Sequence, residues 1–311
     1  MRTLTHNLKE LGWRRLAFSL VVLAYLGFLG FINVMMFLPG NRISAMGHFS
    51  FARTGETHDL IHEFVFSFII GTAAVGLLSQ LWKPKESASW RIAGQLVALI
   101  AWVMMVMIAA LTGNWVPQPL FYIFGGLTIL ATILHPAGAA LLNWIGTTKV
   151  NRILLTLVIV AAIPLLAIAF TNIKLQLADG GAAGFFNHNP SAFHGGAPQQ
   201  ESAQDQSIHG ADGVTMDDEA VHDQKHSNLG HYRNFAVLSF IIILAGLLAS
   251  LMPRGWRVAA RIAGGLPTAL GLASVVLPSA ESSLGVMWGF VAIVWGVTFI
   301  TAAEFSRPRN V

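Results

Sequence analysis

The stretch ILLTLVIVAAIPLLAIAFTNI, residues 153–173, holds no charged side chain across its 21 positions. As a helix rising about 1.5 Å per residue it spans roughly 30 Å, the thickness of a bilayer's hydrocarbon core. A helix pairs its backbone groups internally, which is what a single segment needs in a medium without water. Seven further apolar runs accompany it, at roughly 15–38, 62–82, 92–112, 118–137, 234–252, 262–280 and 284–303. The chain of 311 residues is 54% hydrophobic and 11% charged, against about 25% charged in soluble domains. So few charges cannot coat a globule of this size in water. The reading is an all-α integral membrane protein with eight transmembrane helices.

The first run follows Trp13-Arg14-Arg15 and ends at Leu38-Pro39-Gly40 without a small-residue cleavage site, so it reads as a retained helix. Lys and Arg keep to the cytoplasmic side of such spans. Arg2, Lys9, Arg14, Arg15, then Lys83, Lys85, Arg91, then Lys149, Arg152, then Arg254, Arg257, Arg261, then Arg307 and Arg309 fall on one side. Arg42, Arg53, Lys174, Lys225 and Arg233 fall on the other. The two sets alternate at every span, which places both termini in the cytoplasm, with the plasma membrane as the expected location. The net charge of +4 is thus a statement about orientation in a lipid bilayer. No nucleic-acid partner is read from it.

Two blocks recur. Gly76-Leu77-Leu78 and Arg91-Ile92-Ala93-Gly94 return as Gly246-Leu247-Leu248 and Arg261-Ile262-Ala263-Gly264, in both cases 170 residues later. The first helices of each set correspond only loosely, Arg15 and Asn33 matching Arg152 and Asn172 in position. Equal offset at equal topological position predicts an internal repeat: a four-helix half over 1–145 and a second over 146–311. Four spans is an even number, so the halves share one orientation and a pseudo-twofold axis along the membrane normal. They differ in one loop. The outer loop of the first half, about 39–61, is short; its counterpart, about 174–232, is long and rich in Gly, Ser, Gln, Asp and His. That composition buries no core and reads as mobile.

The chain has no cysteine, which excludes disulfides, thiolate metal sites, iron–sulfur clusters and covalently attached c-type haem. Histidine is the informative residue. His48, His58, His62, His188, His194, His209, His222, His226 and His231 all fall on the outer side; only His6 and His135 do not. His58-Asp59-Leu60-Ile61-His62-Glu63 opens the second helix, and residues four apart on a helix stand one above the other. Both imidazoles can then reach one Zn, Cu or Ni ion. Asp59 and Glu63 can add oxygen ligands or hold a ring N–H. A related cluster, His222-Asp223-Gln224-Lys225-His226 followed by His231, opens the sixth helix. The 170-residue offset sets His62 beside Tyr232, next to His231. The two clusters are therefore expected to face each other across the pseudo-twofold axis. The candidate metal ligands are His58, His62, Glu63, His222, His226 and His231.

Other chemistry finds less support. A zincin pattern needs a histidine where Phe66 stands, and no adjacent His-His pair, Ser-His-Asp spacing, phosphate loop or dinucleotide fingerprint occurs. Haem b would need facing histidines inside the bundle, whereas these sit at its rim. No span carries an ionisable residue near its centre, as ion-coupled transporters do. Asn33 and Asn172 read as hydrogen-bonding between helices, and the methionines Met104, Met105 and Met107 as packing. Pro164 and Pro267 are expected to kink their helices. His135-Pro136 reads as a helix end, where His suits the dipole. Three functions follow. The first is metal handling, delivery or sensing at the extracytoplasmic face. The second is a haem-bearing membrane redox protein or enzyme. The third is a cofactor-free accessory membrane subunit.

Overall fold

The computed structural model describes residues 2–37, 59–81, 92–113, 119–136, 150–179, 231–251, 255–280 and 282–306. These form eight α-helices with no strand among them: α1 Arg2–Phe37, α2 Asp59–Leu78, α3 Ile92–Thr112, α4 Pro119–Ile133, α5 Arg152–Asp179, α6 His231–Ser250, α7 Trp256–Val276 and α8 Gly285–Phe305. Six hold stretches long and apolar enough to cross a membrane: Gly12–Phe31, Ile92–Thr112, Arg152–Ala178, Tyr232–Ser250, Trp256–Val276 and Gly285–Phe305. In α2 and α4 the apolar stretches among the described residues are shorter, Val65–Leu78 and Tyr122–Ile133. α4 stops at Ile133 ahead of His135-Pro136, because a proline disfavours helical backbone in the residue before it. Pro164 and Pro267 lie inside α5 and α7, which continue past them.

Packing sorts the helices into two groups. α2, α3, α6 and α7 each touch the other three. α1 and α4 pack on each other and on α2 and α3 respectively, while α5 and α8 pack on each other and on α6 and α7 respectively. Burial follows this order. In the apolar stretch of α6, 78% is buried, against 22% in those of α5 and α8. The outward faces of those two outer helices are apolar: Ile153, Ile159, Val160, Ile163 and Phe170 on α5, and Met287, Phe290, Val291, Val294 and Val297 on α8 are all exposed. Leaving a side chain of this size in water forfeits about 1.5–3 kcal/mol. Faces of this kind suit the acyl chains of a bilayer. Met105 is fully buried and Met107 is exposed on the same helix, so the α3 methionines fill both interior and outward positions.

Two close crossings hold helices together through backbone contact. A Cβ on Gly76 of α2 would lie 2.5 Å from the carbonyl oxygen of Gly94 on α3, and a Cβ on Gly94 would lie 2.5 Å from that of Gly76. On the α7–α8 hairpin, Gly264 faces Gly296 and Gly271 faces Gly289. Seven residues, two helical turns, separate the members on each helix. Apolar faces gain little by leaving lipid for each other, so small residues that admit close van der Waals approach carry the association.

The two blocks of similar sequence use their glycines differently. Gly76 and Gly94 meet each other. Their counterparts Gly246 and Gly264 meet Val158 of α5 and Gly296 of α8 instead.

Gly264→Ala is therefore expected to destabilise the protein by on the order of 1–3 kcal/mol through overpacking. Gly265→Ala, where the added methyl meets nothing within 4 Å, should leave stability unchanged or raise it slightly. Thermal unfolding of the two variants in the same detergent checks the difference.

Candidate functional site

The two histidine clusters fall at the starts of α2 and α6. α2 begins at Asp59 and includes His62 and Glu63, and α6 begins at His231. The side chains of His62, Glu63 and His231 lie outside the described residues, as do His58, His222, His226 and most of the 174–232 loop. α2 and α6 themselves are in contact at the centre of the bundle. Among the described residues no three His, Asp or Glu side chains gather closely enough to hold a metal ion.

Beside the start of α6 stands a buried polar group that the sequence reading did not single out. Arg233 and Asn234 on α6 are 4% and 5% exposed, and Gln176 on α5 is fully buried. The Gln176 Oε1 accepts the Arg233 backbone N–H at 3.2 Å. This satisfies one of the first-turn N–H groups that a helix leaves without an internal partner. The Arg233 guanidinium donates from Nε and Nη2 to the Asn234 Oδ1, at 3.4 and 3.3 Å. A cation taken out of water costs several kcal/mol unless negative charge or well-placed acceptors compensate it. The legible signal was an arginine in one of the segments between apolar runs where basic residues are scarce. Asn172, one turn earlier on α5, donates to the Ile168 carbonyl of its own helix at 2.9 Å. It does not make the expected bond between helices there, since an asparagine within a helix can satisfy itself four residues back.

At the opposite end of the first four helices a continuous chain of side-chain hydrogen bonds links α2, α3 and α4. The Gln80 Nε2, just past the end of α2, donates to the Gly76 carbonyl and to the Gln95 Oε1 on α3, both at 3.1 Å. The Gln95 Nε2 donates to the Thr132 Oγ1 on α4 at 2.6 Å. Thr132 in turn donates to the Thr128 carbonyl at 2.8 Å. His135 Nε2 lies 2.8 Å from the Gln80 Oε1. A backbone carbonyl can only accept, so the Gly76 contact fixes which end of the Gln80 amide is nitrogen. Its oxygen then faces His135, and the His135 Nε2 must carry the hydrogen.

Gln80, Gln95 and His135 are all at most 1% exposed. Phe18 of α1 stands edge-on to the imidazole, ring centroids 5.3 Å apart. All four helices of the first half thus meet at His135. It was read from sequence as a helix end only; its burial and partners depend on side chains distant in the chain. Deeper in, Tyr25 of α1 donates to the Ile70 carbonyl of α2 at 3.3 Å and packs against Phe124 of α4, centroids 4.8 Å apart.

The ends of α5, α6 and α8 are tied by other means. Applying the 170-residue offset to Gln80, Gln95, Thr132 and His135 gives Ser250, Gly265, Ala302 and Phe305, which cannot form that chain. Here Asn151 caps α5, its Oδ1 accepting the N–H groups of Ile153 and Leu154 at 3.0 and 3.2 Å. Its Nδ2 donates to the Ser306 Oγ after α8 at 2.7 Å, and its backbone N–H to the Ser250 carbonyl at the end of α6, also at 2.7 Å. One residue ties three helix ends.

Compared with known proteins, the chain matches no family model, no curated protein and no solved structure.

Gln80→Leu should strand the His135 N–H and the Gln95 oxygen in the interior, lowering stability by about 1–3 kcal/mol. Gln80→Leu/Gln95→Leu should cost clearly less than the sum of the two single changes, because the groups share one network. Denaturant unfolding of the four proteins measures the coupling; strict additivity would mean the chain does not act as a unit.

Proposed function

We propose that this chain is an eight-span integral membrane protein that binds a transition-metal ion at its extracytoplasmic rim. The ion would lie between the starts of α2 and α6, in metal handling, delivery or sensing. The observation that carries this reading is the direct contact of α2 with α6. These are the two helices at whose starts His58, His62 and Glu63, and His222, His226 and His231, stand. The two halves, 1–145 and 146–311, would share one orientation, with both termini cytoplasmic. The mutual packing of α2, α3, α6 and α7 supports that arrangement, since it is what an axis through the centre of the bundle would produce.

Charge sharpens the ligand set. A divalent ion held by neutral imidazoles alone would leave two positive charges uncompensated at the rim of the bundle. Carboxylate ligands offset them, which favours a mixed set that includes Glu63, with Asp59 as a ligand or as the acceptor of an imidazole N–H. Zn, Cu and Ni all accept such a set.

Purified protein should carry about one Zn, Cu or Ni ion per chain, the number a single four-ligand site holds, and His58→Ala/His62→Ala should lose it while keeping the wild-type unfolding temperature to within a few degrees. Elemental analysis and an optical spectrum separate the outcomes. A Soret band replaces the metal reading with haem. Protein with neither metal nor Soret band, and unable to take up added Zn, Cu or Ni, leaves a cofactor-free accessory subunit.

A further inference from the structure

The start of α7 and the end of α8 form a cationic edge with an apolar face running up to it. Arg257 and Arg261 stand one turn apart on α7, with side chains 46% and 63% exposed. Both turn toward Glu304 of α8. Arg261 holds its Oε1 with Nε and Nη2, each at 2.8 Å. Arg257 stands off: its Nε is 3.7 Å from the Oε2, an ion pair too long for a hydrogen bond, and its guanidinium lies 5.7 Å from the Trp256 ring. A third arginine begins the helix that meets the end of α8. Arg152 is exposed at the start of α5, next to Asn151, which is bonded to Ser306, two residues past Glu304. Among the described residues around this edge, three guanidiniums are set against one carboxylate.

The apolar face is on α8. Val291, Val294, Val297 and Thr301 are exposed at steps of three and four, which makes one stripe of a helix. The next steps of that stripe are Glu304 and Phe305, the latter 83% exposed. The stripe of greasy side chains thus ends at the carboxylate that the two arginines share.

We propose that this edge seats an anionic phospholipid. Its phosphate would lie on Arg257 and Arg261, and an acyl chain along Val291, Val294 and Val297. The planar fork of a guanidinium matches a phosphate's oxygens, and Arg257 has donors that Glu304 does not use. The single carboxylate neutralises one arginine and leaves net positive charge for a headgroup of net charge −1. Phosphatidylcholine brings its own cation and gains nothing from that excess. The inference needs only that the chain lies in a bilayer, and it stands apart from the metal reading at the other end of the bundle.

The test uses the full chain in nanodiscs and in detergent, with phosphatidylglycerol and phosphatidylcholine as probes, read by thermal unfolding and by lipid retained in native mass spectrometry. Wild type should retain phosphatidylglycerol at least about fivefold over phosphatidylcholine, the effect of roughly one arginine at a membrane surface, and the preference should fall in high salt. Arg257→Gln/Arg261→Gln should abolish it. Glu304→Gln should strengthen it, because both guanidiniums are then released to the phosphate; a merely structural ion pair would lose stability in that variant with no gain in retention. Equal retention of the two lipids by wild type, or a preference unchanged in the double variant, overturns the proposal. If the double variant does not fold, a Glu304→Gln protein without increased retention overturns it by itself. A stabilising shift of the same size from inorganic phosphate in lipid-free detergent would also overturn it, since the seat would then serve a soluble anion.

Discussion

A polar side chain inside this bundle has no water to fall back on, and an unpaired one there costs more than most single contacts return. Much of the architecture answers to that constraint. Apart from Tyr25 and Trp295, which bond carbonyls of neighbouring helices within the bundle, the polar residues that join helices sit at or near helix ends, where chain segments already carry unpaired backbone groups. Gln176 takes the Arg233 N–H at one end of the α5–α6 pair, and Asn151 takes the Ser250 carbonyl at the other. In the first half, Gln80 and Gln95 pass hydrogen bonds from α2 through α3 to α4. Along the helices, association depends on shape instead, with glycines letting backbones approach where apolar attraction is weak.

The same constraint explains how two stretches of similar sequence come to be built differently. A glycine at a repeated position permits a close approach without choosing the partner. Gly76 and Gly94 close on each other, while Gly246 admits Val158 and Gly264 admits Gly296. α5 is a long helix of 28 residues packed along α6, and α7 and α8 form a tight hairpin, so the partners on offer differ. Where α5 begins and α8 ends, a helix cap and a serine make the tie instead of a glutamine chain.

The two ends of the bundle differ in charge logic. Around the start of α6 a guanidinium is buried, so its compensation has to be local. Around the start of α7 the arginines are exposed and outnumber the carboxylate they share, an excess of positive charge that water and salt can also reach. A buried charge specifies geometry; an exposed excess supplies attraction over a wider area.

The helical membrane class was written in the sequence, because a bilayer imposes its thickness on any segment that crosses it: the uncharged run at 153–173 is sufficient to show a helix, and α5 stands there. The positions of α2 and α6 were legible for the same reason, and with them the histidines that open each. Tertiary structure alone decided which polar residues matter inside. His135 lies 55 residues from Gln80 in the chain and Gln176 lies 57 from Arg233. No periodicity connects such pairs, since hydropathy reports whether a residue can leave water but not what it will meet once it has left. The burial of Arg233 was decided there too: its place at the head of an apolar run was readable, while the neighbours that enclose it come from the packing of α6 at the centre of the bundle.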